Sequence, residues 1–142
     1  MTMTSDRRAE LLAACPLFTG IGADELQMVA ETASEVEFPA GAVIARAGEI
    51  GTGFFIVVDG RVRVVRDAQV IATLGPGEFF GELSVLDGQP RNAQVVAEEP
   101  TRCLALPTWE FERVLLEHPQ LTLAILRGLA RRLRAVVEEH RA

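Results

Sequence analysis

The chain has 142 residues and 49% hydrophobic content, enough for one domain with its own core and too little for two of ordinary size. Its formal charge is −6 and its cations are all arginine, with no lysine; an acidic chain is a poor counter-ion for a nucleic-acid backbone, and the arginine bias hints at a bacterial source. No apolar run approaches the roughly 18 residues that cross a bilayer, and residues 1–18 lack the basic-then-apolar order of a secretion signal, so a cytoplasmic protein without membrane contact is expected.

Residues 1–33 read as a helical lead-in. "SDRRAELLAAC" (5–15) suggests a first helix, and "ADELQMVAETA" (23–33) places Leu26, Val29, Ala30 and Ala33 at helical spacing behind acidic residues suited to a helix start. From 34 to 106 the period shortens. "EVEF", "VIARA", "GFFIVV", "RVRVV", "QVIATL", "AQVVAE" and "RCLAL" are β-favouring runs separated by glycine-rich turns. About seven such strands predict a closed or rolled antiparallel sheet. Asp59-Gly60, between "FFIVV" and "RVRVV", predicts a two-residue hairpin with positive φ at both positions.

The helical period returns over 107–142. Thr108 is the candidate N-cap of "TWEFERVLLEHP", and Pro119 opens "PQLTLAILRGLARRLRAVVEEHRA" at a position that tolerates proline. Along that segment Leu126, Leu129, Leu133 and Val136 recur at three- and four-residue steps. The stripe must face the sheet or the same helix of a second copy. Eleven of the twelve glycines lie before residue 90, so turns crowd the middle and helices claim the ends. No repeat or linker divides the chain, which reads as one domain over 1–142.

Cys15 and Cys103 are the only cysteines and form no metal-spaced or redox pair; both read as buried small apolar residues. His118 and His140 lie in the charged C-terminal third without companion ligands and read as solvated helical residues. No nucleophile with a base and an orienting group, no metal-ligand spacing and no phosphate loop of the G-x-x-x-x-G-K type occurs, so no enzyme activity and no cofactor are expected.

The segment "GEFFGELSVLDGQPRNAQV" (77–95) places Glu82 and Arg91 at the two ends of a glycine-punctuated loop. Phe79 and Phe80 anchor its start, Gly81 removes a side chain where close backbone approach is needed, and "ELSVLDG" can form about two helical turns before Gly88. A helix start offers unpaired N–H groups to an anion, and the Arg91 fork can pair with two phosphate oxygens. Glu82 repels an anion unless the ligand also carries a hydroxyl beside its phosphate. These residues therefore suit a small, singly charged sugar-phosphate, which one arginine can neutralise without a metal. An exposed ion pair is the alternative.

The same segment resembles the phosphate-binding cassette of the cyclic nucleotide-binding domain family, whose pattern reads loosely G-E-x-F-G-E-[LI]-[AS]-x-[LIV], a short spacer, then P-R-x-A-x-V. This chain supplies Gly77, Glu78, Phe80, Gly81, Glu82, Leu83, Ser84, Leu86, Pro90, Arg91, Ala93 and Val95. "PLFTGIGADEL", "FFIVVDGRVRVV" and "FERVLLEHPQ…LARRL" extend the similarity over most of the chain. The resemblance implies an α+β fold: an antiparallel, jelly-roll-like β-roll of about seven to eight strands, flanked by N-terminal helices and two C-terminal helices. It implies that the nucleotide lies between the cassette and the last helix. Glu82 is then similar to the family's acceptor for the ribose hydroxyl and Arg91 to its phosphate partner. Backbone N–H groups around Leu83, Ser84 and Asn92 would complete the phosphate cage, with Gly81 and Phe80 beside it.

Some positions depart from that pattern. Asn92 stands where Ala, Ser or Thr is usual and leaves adenine against guanine open; Gln94 replaces a common Thr or Ser and reads as solvent-facing. Val136 and Val137 occupy the place of polar residues that reach the base. Either Val64, Ile71 and Leu74 hold the base by apolar packing, or a backbone or partner-subunit group substitutes. Arg132 is a candidate partner for Glu82, the alternative being a solvated arginine.

The resemblance thus implies a sensor for a cyclic nucleotide, cAMP ahead of cGMP, that signals through its C-terminal helix to a dimer contact or an effector protein. Two other readings stand beside it: a scaffold or dimerisation module of the same fold that binds no nucleotide, and the ligand-binding part of a longer transcription regulator. No helix-turn-helix follows the long helix in this sequence, so direct nucleic-acid binding is not expected.

Overall fold

The computed structural model describes residues 3–15, 18, 20–48, 53–81, 91 and 93–139, excepting the side chains of residues 132 and 139. Two helices lead in, α1 (Ser5–Ala14) and α2 (Ala23–Thr32). The Thr4 hydroxyl caps α1 by accepting from the Arg7 N–H at 3.1 Å, and Asp24 and Glu25 meet the positive end of α2. Leu26, Val29 and Ala30 form the buried face of α2, on the spacing expected from sequence.

Among the described residues eight strands follow: β1 (Ser34–Phe38), β2 (Val43–Ala45), β3 (Gly53–Asp59), β4 (Val62–Arg66), β5 (Gln69–Leu74), β6 (Phe79–Phe80), β7 (Gln94–Ala97) and β8 (Thr101–Pro107). They form two four-stranded antiparallel sheets, ordered β1-β8-β3-β6 and β2-β7-β4-β5. The chain closes with α3 (Thr108–Glu117) and α4 (Pro119–Glu139). An antiparallel β-roll flanked by helices at both ends of the sequence is therefore the observed architecture, as expected.

The Asp59-Gly60 expectation fails. β3 pairs with β6 and β8, whereas β4 pairs with β5 and β7, so this turn passes the chain from one sheet to the other. Only Gly60 has a positive φ, +98°, and a Cβ there would stand 2.6 Å from the Pro100 carbonyl oxygen and 2.7 Å from Thr101 Cα. Thr101, only 3% exposed, secures the crossing: its hydroxyl accepts from the Arg61 N–H at 3.3 Å and lies 2.7 Å from the Glu99 carbonyl it can donate to. The tight hairpin is β4–β5 instead. Its turn residues Asp67 and Ala68 have φ of 52° and 64°, without the glycine that normally announces such a turn.

Alternation along β3 and β8 divides the interior in two. Phe54, Ile56, Leu104 and Leu106 face the helices and join Leu12, Phe18, Val29, Phe111, Leu121 and Ile125. Val57 and Cys103 face into the roll, with Ala45, Val62, Phe80 and Val95. Burying a side chain such as Phe54, which is 1% exposed, contributes roughly 1.5–3 kcal/mol.

Two helix details also differ from expectation. Thr108 is the first residue of α3, and the N-cap is Pro107. On α4 the core-facing residues are Leu121, Ile125 and Gly128, with Leu129 partly buried, while Leu126, Leu133 and Val136 are exposed. The stripe read from sequence is thus mostly the outer seam of α4.

Candidate functional site

Phe80 fixes where the cassette begins. It is buried and stacks on Phe55 with ring centroids 5.1 Å apart and planes 12° from parallel, and Phe38 meets the other ring edgewise at 6.3 Å. The preceding turn is braced by its own acid: the Glu78 carboxylate accepts from the Gly75 N–H at 3.2 Å. Two bonds of 2.8 Å, from Gly77 N–H to the Val57 carbonyl and from Val57 N–H to the Glu78 carbonyl, tie it to β3.

Gly81 follows, with φ of +90°, and the Arg91 guanidinium packs against it. A Cβ on Gly81 would stand 2.8 Å from Arg91 Nη1 and 2.8 Å from the Gly53 carbonyl oxygen. That same carbonyl accepts from Arg91 Nη2 at 2.9 Å. The backbone of Arg91 is held too, since the Gly48 N–H donates to its carbonyl at 2.8 Å. The arginine tip and Gly81 therefore meet where β3 begins, while the arginine backbone is held by Gly48, past the end of β2. A guanidinium is a planar fork of five N–H donors, so the bond to the Gly53 carbonyl sets the plane in which the others lie.

Val64 and Leu74 pack against the roll interior beside Phe80. Ile71 does not join them. Val64 pairs with Ala72 and Val65 with Val70, which leaves Ile71 as the extra residue of a bulge on the sheet edge, 46% exposed. The structure thus packs Val64 and Leu74 with Phe80, sets Arg91 against Gly81, the next residue in the chain, and leaves Ile71 exposed on the sheet edge. Glu82, Leu83, Ser84 and Asn92, and the helix expected over 82–88, lie outside the described residues, as does the side chain of Arg132. Val136 and Val137 are exposed on α4.

Sequence reasoning missed Gly48 and Gly53, which act through backbone atoms. Their signal was glycine density in "GEIGTG", read only as a turn. Burial pushes the Cys103 thiol from 9.0 up to about 12, so at neutral pH it is an un-ionised thiol and a poor nucleophile. Among the described residues no three His, Cys, Asp or Glu side chains are grouped to hold a metal ion.

The described helices include none long and apolar enough to cross a membrane. Residues 35–118 match the family model described as "Cyclic nucleotide-binding domain". Over 115 residues the chain is 38% identical to a cyclic nucleotide-gated potassium channel of Mesorhizobium japonicum, covering 81% of this chain and 32% of the channel. It is 35% identical over 124 residues to the cyclic AMP receptor protein of Thermus thermophilus, covering 84% of this chain and 57% of the receptor. The solved N-terminal domain of a transcriptional regulator from Streptomyces coelicolor superposes with a TM-score of 0.81 at 30% identity, covering 89% of this chain and 94% of that domain. The chain spans about a third of the length of the first of these curated relatives and somewhat over half of the second. With the β-roll, the cassette residues and a family match over more than half of its length, the chain belongs to the cyclic nucleotide-binding domain family.

Proposed function

We propose that this chain is a regulatory module that binds a cyclic mononucleotide, cAMP ahead of cGMP, between the cassette and α4. The observation that carries the reading is the Arg91 guanidinium, bedded on Gly81 and braced by the Gly53 carbonyl at the first residue of β3. In this reading Arg91 neutralises the single phosphodiester charge, and Glu82 accepts the ribose hydroxyl. N–H groups around Leu83, Ser84 and Asn92 close the cage, and Phe80, Val64, Ile71 and Leu74 provide apolar surface for sugar and base. The order of nucleotides rests on the relative named a cyclic AMP receptor. The module has no catalytic step of its own, works in the cytoplasm and needs no cofactor. It passes occupancy to an effector through α4, whose exposed Leu126, Leu133 and Val136 suit a second copy.

Isothermal titration with cAMP and cGMP tests this. Micromolar or tighter binding of cAMP is expected in the wild type, and Arg91→Ala should weaken it at least a hundredfold while leaving the melting temperature without ligand within a few degrees. No heat with either nucleotide at millimolar concentration would defeat the proposal. It would favour the second reading, a dimerisation module built on the same exposed α4 seam.

A further inference from the structure

We propose that Gly53 and Gly81 are positioning residues for the nucleotide, acting by holding Arg91 in its binding rotamer before the ligand arrives. The inference rests on the reading that Arg91 meets the phosphate. Its own basis is the way the arginine is tied at both ends. The N–H of Gly48, past the end of β2, donates to the Arg91 backbone carbonyl at 2.8 Å, and the carbonyl of Gly53, the first residue of β3, accepts from Arg91 Nη2 at 2.9 Å. Main chain and tip are thus fixed by the two flanks of one connection.

Gly53 is itself immobilised. It is buried, pairs with Pro107 across the β3–β8 ladder, and a Cβ on it would lie 3.0 Å from the Leu106 carbonyl oxygen. A carbonyl set in a sheet is a rigid acceptor, so the guanidinium bonded to it has few rotamers left. Gly81 supplies the other wall. A methyl group at its Cα would collide with both the guanidinium and the carbonyl, at 2.8 Å each, and would separate them. An arginine ordered on folding loses less freedom when the anion binds, which strengthens binding without a new contact. Neither glycine needs to touch the nucleotide for this.

A double-mutant cycle tests the inference, with cAMP affinity measured by isothermal titration for Gly81→Ala in the wild-type and Arg91→Lys backgrounds. Lysine has no Nη1 for the new methyl to displace. Gly81→Ala is expected to weaken binding tenfold or more beside Arg91 and less than threefold beside lysine, although its backbone strain is common to both. Equal losses in the two backgrounds would reduce Gly81 to a strained turn and overturn the inference, as would an unchanged affinity beside Arg91. If Arg91→Ala and Arg91→Lys both bind cAMP as the wild type does, the phosphate reading itself falls, a separate outcome.

Should Gly81→Ala fail to fold or Arg91→Lys bind too weakly to titrate, the wild-type protein without ligand decides by nitrogen-15 NMR of the Arg91 guanidinium. Two resolved, slowly exchanging Nη signals are expected from the bond to Gly53. One averaged signal would overturn it.

Discussion

Ala68 holds a backbone conformation that suits glycine better than alanine. Its φ is 64°, and the preceding Asp67 is at 52°, so the β4–β5 turn imposes left-handed geometry on two residues with side chains. Such a conformation costs an L-residue roughly 1–2 kcal/mol, part of which glycine returns to a more flexible unfolded chain. Ala68→Gly is therefore expected to stabilise the protein by up to about 1 kcal/mol, read as a rise of about 3 °C in melting temperature. At the same scale the sequence reveals the site unevenly. Gly81 and Arg91 announce themselves as residue types at a spacing, and the structure brings them into contact. The anchors at Gly48 and Gly53 act through an N–H and a carbonyl that every residue but proline possesses, so nothing in their identity marks the role.

Among the elements, seven strands and four helices are legible as runs, because alternation and the 3.6-residue period both survive in this sequence. What fails is pairing. Asp59-Gly60 has the composition of a hairpin turn, yet whether the next strand folds back on the last or moves to another sheet is decided by tertiary packing. Here Thr101 and the close approach of Pro100 decide it. β6, Phe79–Phe80, is too short to show a period at all. On α4, Leu126 and Leu133 are 56% and 64% exposed one heptad apart, while Leu121 and Ile125 hold the helix to the body. Leu133→Glu should therefore leave the unfolding free energy of the monomer within about 0.5 kcal/mol and abolish any dimer seen by analytical ultracentrifugation. A dimer that survives the substitution would place the interface elsewhere.

Across the whole molecule, stability should respond to alkali through Cys103. Its folded pKa is raised from 9.0 to about 12 by burial, so above pH 9 the unfolded chain gives up a proton that the folded chain retains. The unfolded state then gains, and stability that is intact below pH 9 declines as pH rises toward 12. Between pH 8 and pH 10.5 this group should cost about 2 kcal/mol. Urea unfolding at those two pH values should show a smaller alkaline loss in Cys103→Ala than in the wild type, even if the variant starts less stable.

Cys103 lies on one surface of the β1-β8-β3-β6 sheet, and Leu104, next in the chain, lies on the opposite one. The same holds for Phe55 and Phe54 on β3. A single layer of backbone is thus a party wall between two oily rooms, one roofed by helices and the other closed by the second sheet. Any event that shifts that wall to enlarge one room must shrink its neighbour, so the helices can feel what happens in the roll without touching it.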